Sequence, residues 1–473
     1  MNTGERDTIA EATAEPAVEN STTNRKQPFP RGFLDTISTG WAERPESLPT
    51  ARAQAPYAAA RRAAVSAAFP GKRLVIAAGA LKQRSNDTDY VFRAHSAFAH
   101  LTGWASDSEP DSMLVFDPTD AGHDVTLYFR ERADRTTTEF YADATIGEFW
   151  IGPRPALAGV AADLGIATDH LAAFEPGDED LTLDDADLAR FVSELRLVKD
   201  EFEIAEMRRA VEITASGFDD IIRALPQAVD HARGERVVEG VFHRRAREDG
   251  NGEGYDTIAA SGPHACYLHW TRNDGTVVPG DLILVDAGVE ADSLYTADIT
   301  RTLPVSGTFT EVQRRVYETV REAADAAFAA ARIGVPFRDV HGAAMQVIAA
   351  RTAEWGLLPV TAEEALDADA GGQHRRYMVH GTSHHLGIDV HDCAQARREM
   401  YYDGILEAGM VFTIEPGLYF QIDDLTVPAE YRGIGVRIED DILMTADGPV
   451  NLSAGIPRTA DEVEAWIARV QAG

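Results

Sequence analysis

Residues 281–305 contain two aspartates, Asp286 and Asp298, that lie at equal distances from a predicted central turn. The sequence, DLILVDAGVEADSLYTADITRTLPV, predicts a β-hairpin whose turn is centred on Asp292. Asp286 and Asp298 would then face each other, about 4.5–5.5 Å apart on one side of the hairpin. Two like charges at this spacing repel unless one is protonated or a cation lies between them. The alternative is a surface hairpin with solvated acids, but Asp286 follows the apolar run LILV, where a free carboxylate would be costly.

A second pair of acidic residues follows the same pattern near the end of the chain. The segment 409–420, GMVFTIEPGLYF, predicts a strand that ends at a turn beginning with Glu415. The segment 433–444, GIGVRIEDDILM, predicts another strand, and alternation places Arg437, Glu439 and Asp441 on one face of it. Taken alone, each glutamate is open to two interpretations, as a salt-bridge partner or as a metal ligand.

The segment 378–392, MVHGTSHHLGIDVHD, concentrates four histidines: His380, His384, His385 and His391. Two of them are four positions apart, as in zinc proteases with an H-E-x-x-H helix. Gly381, Gly387 and the β-branched Ile388 and Val390 predict loop and strand instead of helix, which disfavours a zinc site made only of histidines. One histidine combined with several acids is an oxygen-rich set that suits Mn²⁺ or a similar ion. Four carboxylates also balance the charge of two divalent ions.

The chain of 473 residues is too long for one ordinary core and predicts two domains of mixed α/β class (α/β, or α+β). Residues 1–35 are polar and predict a disordered arm. Residues 36–196 alternate strand patterns (73–79, 112–118, 124–130) with helix patterns (60–69, 155–165) and predict an α/β domain. Residues 197–473 open with a long helix capped by Asp200 and Glu203. A comparable helix follows Thr310, with Gln313 at the capping-box position and Gly334 at its end.

The formal net charge of −33 argues against partners that are themselves anionic. Such a chain repels nucleic acid and anionic membranes, so we expect neither as a partner. No run of about 18 apolar residues predicts a spanning helix, and the polar N-terminus lacks the apolar region of a secretory signal. We therefore expect a cytoplasmic protein.

The two cysteines, Cys266 and Cys393, are too few for a disulfide framework. Each lies close in sequence to a candidate histidine, so a Cys–His nucleophile is one interpretation. The preferred interpretation is that both are small buried hydrophobic residues.

Five segments of the chain resemble motifs of one family, and they follow one another in the same order as in that family. HGTSHHLGIDVHD (380–392) resembles the proline-peptidase signature of the pita-bread metallopeptidases. VDAG (285–288), ADITRTLPV (297–305), TIEPGLY (413–419) and YRGIGVRIEDDI (431–442) match further motifs of that family, so that the five lie between residues 285 and 442. The last of these and RSNDTDYVFRAHSAFAHLTGW (84–104) resemble aminopeptidase P in particular. The resemblance implies an N-terminal domain of that type followed by a pita-bread catalytic domain.

The resemblance also implies a centre of two divalent metal ions, most suitably Mn²⁺. Asp286 would be a terminal ligand of one ion, and Asp298 and Glu439 would bridge both. His384 and Glu415 would bind the other ion.

Further residues correspond to the substrate side of the family's site. His269, in YLHWTRN (267–273), and His380 would contact the substrate, and His391 would help to stabilise the tetrahedral intermediate. Arg437 and Tyr419 would support Glu439 and the hydrogen bonds of the site. His385 matches no functional position, so a packing or outward-facing role is expected for it.

One departure from the family concerns the hairpin. Asp286 and Asp298 are twelve positions apart (286 to 298), one more than in the family pattern. An extra residue in the turn, around 291–294, would leave both ligands in place, whereas one inside a strand would reverse the faces. Tyr295 keeps the family's spacing to Asp298, which places the insertion on the turn side.

The activity that the resemblance implies is hydrolysis of the bond between an N-terminal residue and a following proline, in Xaa-Pro-Yaa peptides. Water activated by the metal ions would attack the carbonyl, and Glu415 would carry a proton to the proline nitrogen. Tyr419 and Trp270 are candidates for a pocket around the proline ring. The alternatives are a prolidase that accepts only Xaa-Pro dipeptides and a metal-free pita-bread protein that binds peptides.

The expected partners follow from the same resemblance. They are peptides with proline at the second position and other copies of the chain, in a dimer or tetramer. In such an oligomer the N-terminal domain of one subunit would lie near another subunit's site, and Asp87 is the residue to watch there.

Overall fold

The structure, a computed structural model, describes residues 29–44, 48–86 and 88–472. Asp87 and most of the predicted disordered arm therefore lie outside the described residues. The last five residues of that arm, 31–35, lie in a helix (Arg31–Ile37), so the predicted boundary at residue 35 falls inside a helix.

The N-terminal part combines one main sheet with surrounding helices. Its helices are α1 (Arg31–Ile37), α2 (Ala55–Ala68), α3 (Ser96–Thr102), α4 (Thr138–Tyr141), α5 (Glu148–Ile151), α6 (Leu157–Leu164) and α7 (Ala186–Glu194). Its strands are β1 (Leu74–Ala77), β2 (Gln83–Ser85), β3 (Thr88–Asp89), β4 (Met113–Thr119), β5 (Gly122–Phe129) and β6 (Ala167–His170). The main sheet has the order β1-β4-β5-β6, and only the β5–β6 pair is parallel. The three strands and two helices predicted in this region are all present.

The C-terminal part contains longer helices and several short antiparallel sheets. Its helices are α8 (Glu201–Val229), α9 (Gly234–Asp249), α10 (Glu311–Ala330), α11 (Arg338–Glu354), α12 (Ala362–Ala365) and α13 (Ala460–Gln471). Its strands are β7 (Gly252–Glu253), β8 (Ile258–Ser261), β9 (Leu282–Ala287), β10 (Val289–Glu290), β11 (Ile299–Pro304), β12 (Val411–Ile414), β13 (Gly417–Tyr419), β14 (Gly435–Arg437), β15 (Asp440–Thr445) and β16 (Gly448–Asn451). The sheets have the orders β11-β9-β8, β12-β15-β16, β13-β14 and β10-β7.

Both long helices begin as their capping residues predict. The Asp200 side chain accepts from the backbone N–H of Glu203 at 3.0 Å, and the Glu203 carboxylate accepts from the N–H of Asp200 at 2.8 Å. Thr310 and Gln313 form the equivalent box at the start of α10. The prediction that Gly334 ends α10 was wrong, because Ala331 already leaves the helix with a ψ of 101°.

Two hydrophobic cores correspond to the two parts of the chain. One lies between the N-terminal sheet and α3, α6 and α7, and the other fills the C-terminal part from α8 to α13. A third, smaller cluster joins them, because Ala99 and Ala105 pack with Met207, Tyr295 and Ile388. The hairpin and histidine segments therefore lie against the N-terminal part. Among the described helices, none combines the length and hydropathy that crossing a membrane requires.

Candidate metal centre

The hairpin of β9 and β11 carries two of the predicted ligands, but its register differs from the prediction. Asp286 pairs with Thr300, and Glu290 bridges to Thr296, so the turn is centred on Ser293 and not on Asp292. Asp286 and Asp298 are therefore diagonal neighbours instead of a directly opposed pair. They remain on one face, and the register runs without interruption from the turn to Leu282. This agrees with an extra residue located in the turn.

The hydroxyl of Tyr255 joins the two aspartates. Its oxygen lies 2.7 Å from Oδ1 of Asp286 and 2.5 Å from Oδ1 of Asp298, so its single proton is within hydrogen-bond distance of both. Tyr255 precedes β8, the strand that pairs with β9, so the sheet brings it beside the hairpin. Burial, together with the negative charges of both aspartates, raises its pKa well above the usual value, so the hydroxyl keeps its proton. Tyr255 was not among the site residues predicted from the sequence.

Glu439 and Arg437 reach the hairpin from the next sheet. The Glu439 carboxylate accepts from the hydroxyl of Thr300 at 2.6 Å, and its backbone N–H donates to the carbonyl of Thr300 at 3.1 Å. Arg437 donates to Oδ2 of Asp286 at 2.5 Å and to the Thr300 hydroxyl at 3.1 Å. Both side chains are buried. Thr300, which the sequence analysis also missed, therefore fixes both of them.

Glu415 and His384 lie on two neighbouring segments of the chain that are joined by backbone hydrogen bonds. The backbone N–H of Glu415 donates to Thr382 at 2.8 Å, and the N–H of Thr413 donates to the His384 carbonyl at 2.9 Å. Nε2 of His384 lies 3.2 Å from Asp298 and 3.6 Å from Glu415. As predicted, the segment carrying His384 contains no helix.

The four carboxylates and the imidazole converge in one cavity of about 560 Å³. Ligand atoms of Asp298, His384 and Glu439 lie within 4.8 Å of one another, and Asp286 and Glu415 line the same cavity. Each oxygen or nitrogen is of a type that divalent ions bind, and the set is rich in oxygen. The residues present therefore fit a divalent metal centre.

Three acids in this cavity, Asp298, Glu415 and Glu439, have pKa values raised above the ordinary range of a carboxyl group. Burial and the charges of Asp298 and Glu415 raise the pKa of Glu439 well above its ordinary range. Burial likewise raises the pKa of Glu415 to about 8, and neighbouring acids add to the shift. Burial alone would lower the pKa of His384, but Asp298 and Glu415 outweigh it and raise the value to about 9. A divalent cation bound among these carboxylates would favour their ionised forms and so oppose the upward shifts.

The substrate-side histidines predicted from the sequence line the same cavity: His269, His380 and His391. Nε2 of His380 lies 2.8 Å from the hydroxyl of Tyr419, which accepts from Arg437 at 3.1 Å. Burial and the charge of Arg437 lower the pKa of His380 to about 3, so its imidazole is neutral. The ring of His391 packs edge-on against that of His384, with centroids 4.3 Å apart.

Trp270 does not lie where it was expected, and His385 takes one of the two roles expected for it. Trp270 is not among the residues lining the cavity, because its indole donates to Glu235 at 2.9 Å and its ring stacks on His264. His385 packs inward against Phe337 and Tyr401 and is only 1% exposed, so an outward-facing role was wrong and a packing role was right. Burial lowers its pKa to about 3.

The Cys–His nucleophile is not supported by the surroundings of either cysteine. Both cysteines are unpaired and buried. Burial raises the pKa of each thiol to about 12, so neither forms a thiolate near neutral pH. The Cys266 thiol instead donates to the carbonyl of Phe420 at 3.3 Å.

Two family descriptions match this chain. Metallopeptidase family M24 matches residues 205–446, and the N-terminal domain of aminopeptidase P matches residues 58–175. Xaa-Pro aminopeptidase 1 of Streptomyces coelicolor is 50% identical over 462 residues, which cover 93% of this chain and 92% of that protein. Xaa-Pro aminopeptidase of Escherichia coli is 33% identical over 86% of this chain and 96% of that protein.

Solved structures show the same likeness. Pseudomonas aeruginosa aminopeptidase PepP has a TM-score of 0.76 and 29% identity, covering 89% of this chain and 100% of its own. Zinc-substituted Escherichia coli aminopeptidase P in complex with product has a TM-score of 0.74 and 30% identity, covering 89% of this chain and 99% of its own.

Proposed function

Because the chain belongs to metallopeptidase family M24, we propose that it is an aminopeptidase that releases the first residue of peptides whose second residue is proline. The observation that carries this proposal is the convergence of four carboxylates and one imidazole in a single cavity with three further histidines. The Streptomyces coelicolor relatives named Xaa-Pro aminopeptidase 1 and 2 match more than 90% of the chain, so the likeness includes both the N-terminal part and the cavity.

Two divalent ions, most suitably Mn²⁺, complete the proposed centre. Asp286 would be a terminal ligand of one ion, Asp298 and Glu439 would bridge, and His384 and Glu415 would hold the other. Divalent ions bound there supply Lewis-acid chemistry, lowering the pKa of water and polarising a carbonyl group. The choice of Mn²⁺ rests on the oxygen-rich donor set.

Glu415 is the proposed proton carrier. Its carboxylate lies 3.6 Å from His384 and 3.6 Å from His380, between the ligand cluster and the substrate-side wall. From this position it would accept a proton from the attacking water and deliver it to the proline nitrogen, which must be protonated in order to leave.

The remaining residues would orient the peptide. His391 and His269 lie on the cavity wall, where an imidazole N–H can donate to the oxygen of the attacked carbonyl as its charge develops. His380 is held by Tyr419, and Tyr419 by Arg437, so this wall is anchored to Asp286. Tyr419, like Trp270, is not among the residues that line the cavity, so it would act on the proline pocket through its contact with His380.

Hydrolysis of a tripeptide and of a dipeptide by the Mn²⁺-loaded protein tests the proposal. We expect release of arginine from Arg-Pro-Pro, with Gly-Pro a poorer substrate. Turnover of Gly-Pro without turnover of Arg-Pro-Pro would identify a prolidase instead, an alternative that no relative or structural observation favours. Absence of both hydrolysis and metal uptake would leave the peptide-binding alternative. All five proposed ligand positions carry ligating side chains, which argues against that alternative.

A homo-oligomer and a cytoplasmic location complete the proposal. Phe149, Trp150 and Ile151 of α5 are each 54–60% exposed, and adjacent exposed apolar side chains of this size are typical of interfaces. Two buried, unpaired cysteines suit a reducing compartment. Light scattering on the purified protein should give a dimer or tetramer, and a monomer at micromolar concentration would contradict this part.

A further inference from the structure

His269 owes its position to its loop. It lies in the connection between β8 and β9, on the cavity wall, and the side chain is exposed. Within the described residues no side chain makes a hydrogen bond to its imidazole; the carbonyl of His269 accepts only the backbone N–H of Thr271, at 2.9 Å. Whatever fixes the loop therefore fixes where this histidine meets a substrate.

A single buried carboxylate accepts hydrogen bonds from several residues of that loop. Glu235, in the first turn of α9, is fully buried. Its Oε1 accepts from the N–H of Ser261 at 2.8 Å and from Nδ1 of His264 at 2.8 Å. Its Oε2 accepts from the indole of Trp270 at 2.9 Å and from the N–H of Gly275 at 2.6 Å. A carboxylate offers about four acceptor positions, and all are occupied.

The loop closes tightly around this carboxylate. The ring of His264 stacks on Trp270 with centroids 3.9 Å apart. A Cβ added at Gly275 would lie 2.7 Å from His264 and 2.8 Å from Glu235, so no larger residue fits there without displacement. Because Trp270 directly follows His269, the hydrogen bond from its indole to Glu235 anchors the neighbouring backbone.

We propose that Glu235 is a positioning residue: by holding residues 261–275 it presents His269 to the peptide. The inference rests on the proposed function, since it assumes that His269 contacts the substrate. Glu235 itself does not line the cavity. Its effect on turnover must therefore pass through the loop.

The test substitutes Glu235→Gln in the full-length, Mn²⁺-loaded protein, alone and combined with His269→Ala. Glutamine has the same shape, but its NH₂ group donates, so two of the four donors lose their acceptor in either orientation. We expect kcat/KM for Arg-Pro-Pro to fall about tenfold or more, at unchanged metal content. In the His269→Ala background the same substitution should change kcat/KM less than about twofold, because the positioned side chain is absent.

Controls separate positioning from general damage. Glu248→Gln alters an exposed residue of the same helix whose partner is Arg244 and should leave kcat/KM unchanged. Trp270→Phe keeps an aromatic ring at this position but removes the indole N–H that donates to Glu235. It therefore allows the same comparison if Glu235→Gln does not fold. Equal losses in both backgrounds, or a loss that follows metal content, would overturn the inference.

A readout without turnover keeps the two proposals distinct. Histidine-selective NMR of the metal-free Glu235→Gln protein, compared with the metal-free unsubstituted protein so that paramagnetic Mn²⁺ does not broaden the signals, should show shifted His269 and His264 ring signals, with those of exposed His243 unchanged. An unmoved His269 signal would refute the positioning role. Lack of Arg-Pro-Pro hydrolysis by the unsubstituted protein would instead refute the proposed function.

Discussion

His384 and His385 are neighbours in the sequence but have opposite chemical surroundings. The first faces Asp298 and Glu415, which raise its pKa to about 9, and the second is buried among rings, where the pKa falls to about 3. Alternation along an extended chain accounts for the difference, because successive side chains point to opposite sides.

These surroundings predict different defects for the two alanine variants. His384→Ala should abolish metal-dependent turnover while changing stability little, because it removes a ligand at the edge of a cavity. His385→Ala should retain turnover but lower the free energy of unfolding by about 3 kcal/mol, since it leaves a void beside Phe337 and Tyr401. Urea denaturation and peptide assays on both variants check this. Comparable loss of activity in the two would contradict the assignment.

Tyr255 is the residue whose role the sequence could least reveal. A tyrosine before a short strand has no signature, and its proximity to Asp286 depends on β8 pairing with β9. The acidic ligands could be predicted because burying a carboxylate within an apolar run costs free energy unless a partner compensates for its charge. An acid in such a run can be recognised from the sequence alone.

Replacing Tyr255 with phenylalanine should weaken metal binding. The substitution removes the hydroxyl that lies between Asp286 and Asp298, so one of the contacts that orient the two carboxylates is lost while the aromatic ring remains. Loss of such an outer partner typically costs about 10–100-fold in metal affinity. Titration of the metal-free protein with Mn²⁺ measures it, and an unchanged affinity would show that the hydroxyl is dispensable.

At the scale of elements, the sequence patterns predicted the positions of helices and strands better than they predicted which residues pair across the hairpin. The capping boxes of α8 and α10 are where Asp200 and Thr310 place them, because a cap is a local interaction between residues three apart. The hairpin register was displaced, since the turn centre depends on Leu294, which adopts a φ of +69° that its side chain disfavours. Only the surrounding packing can impose that conformation.

The contact between α3 and α8 predicts a dependence of stability on pH. Burial lowers the pKa of His100, with Arg61 and Arg196 acting in the same direction and Glu203 opposing. The unfolded chain therefore binds a proton near pH 6.5 that the folded chain does not. Stability from this residue is present above about pH 6.5 and is lost as the pH falls.

A His100→Gln variant isolates this contribution. Between pH 7.5 and 5.5 the wild-type protein should lose up to about 1.4 kcal/mol more unfolding free energy than the variant. Urea denaturation of both proteins at the two pH values provides the comparison. Equal losses would mean that the His100 environment does not exclude the proton.

At the scale of the whole molecule, the N-terminal part reaches the segments that carry the ligands. Arg93 donates to Glu290 of the hairpin at 2.7 Å and to the carbonyl of Ile388 in the histidine segment at 2.7 Å. Arg93→Ala would leave Glu290 buried without its cation, and we expect the free energy of unfolding to fall by about 1–3 kcal/mol. Arg31→Ala, at an exposed residue, serves as the control in the same denaturation series. Equal stability of the two variants would contradict a joining role.

The predicted architecture, an N-terminal α/β domain followed by a pita-bread catalytic domain, is confirmed by the family and structural matches. Five ordered motifs could predict it because each contains chemically required residues. The contacts of Arg93 with Glu290 and Ile388 could not be predicted, since they join residues about 200 and 300 positions apart (93 to 290 and 93 to 388) through a domain packing that no local pattern encodes. The exact domain boundaries stay predictions.

Removal and restoration of the metal ions test most directly the proposal that this chain is a metal-dependent aminopeptidase. The protein is stripped with a chelator, its metal content is measured, and Arg-Pro-Pro hydrolysis is followed as Mn²⁺ is returned. We expect no hydrolysis by the stripped protein and recovery of hydrolysis as about two ions bind per chain. An Asp298→Asn variant should not recover. Hydrolysis that persists in protein shown to contain no metal, or full recovery by Asp298→Asn, would contradict this proposal.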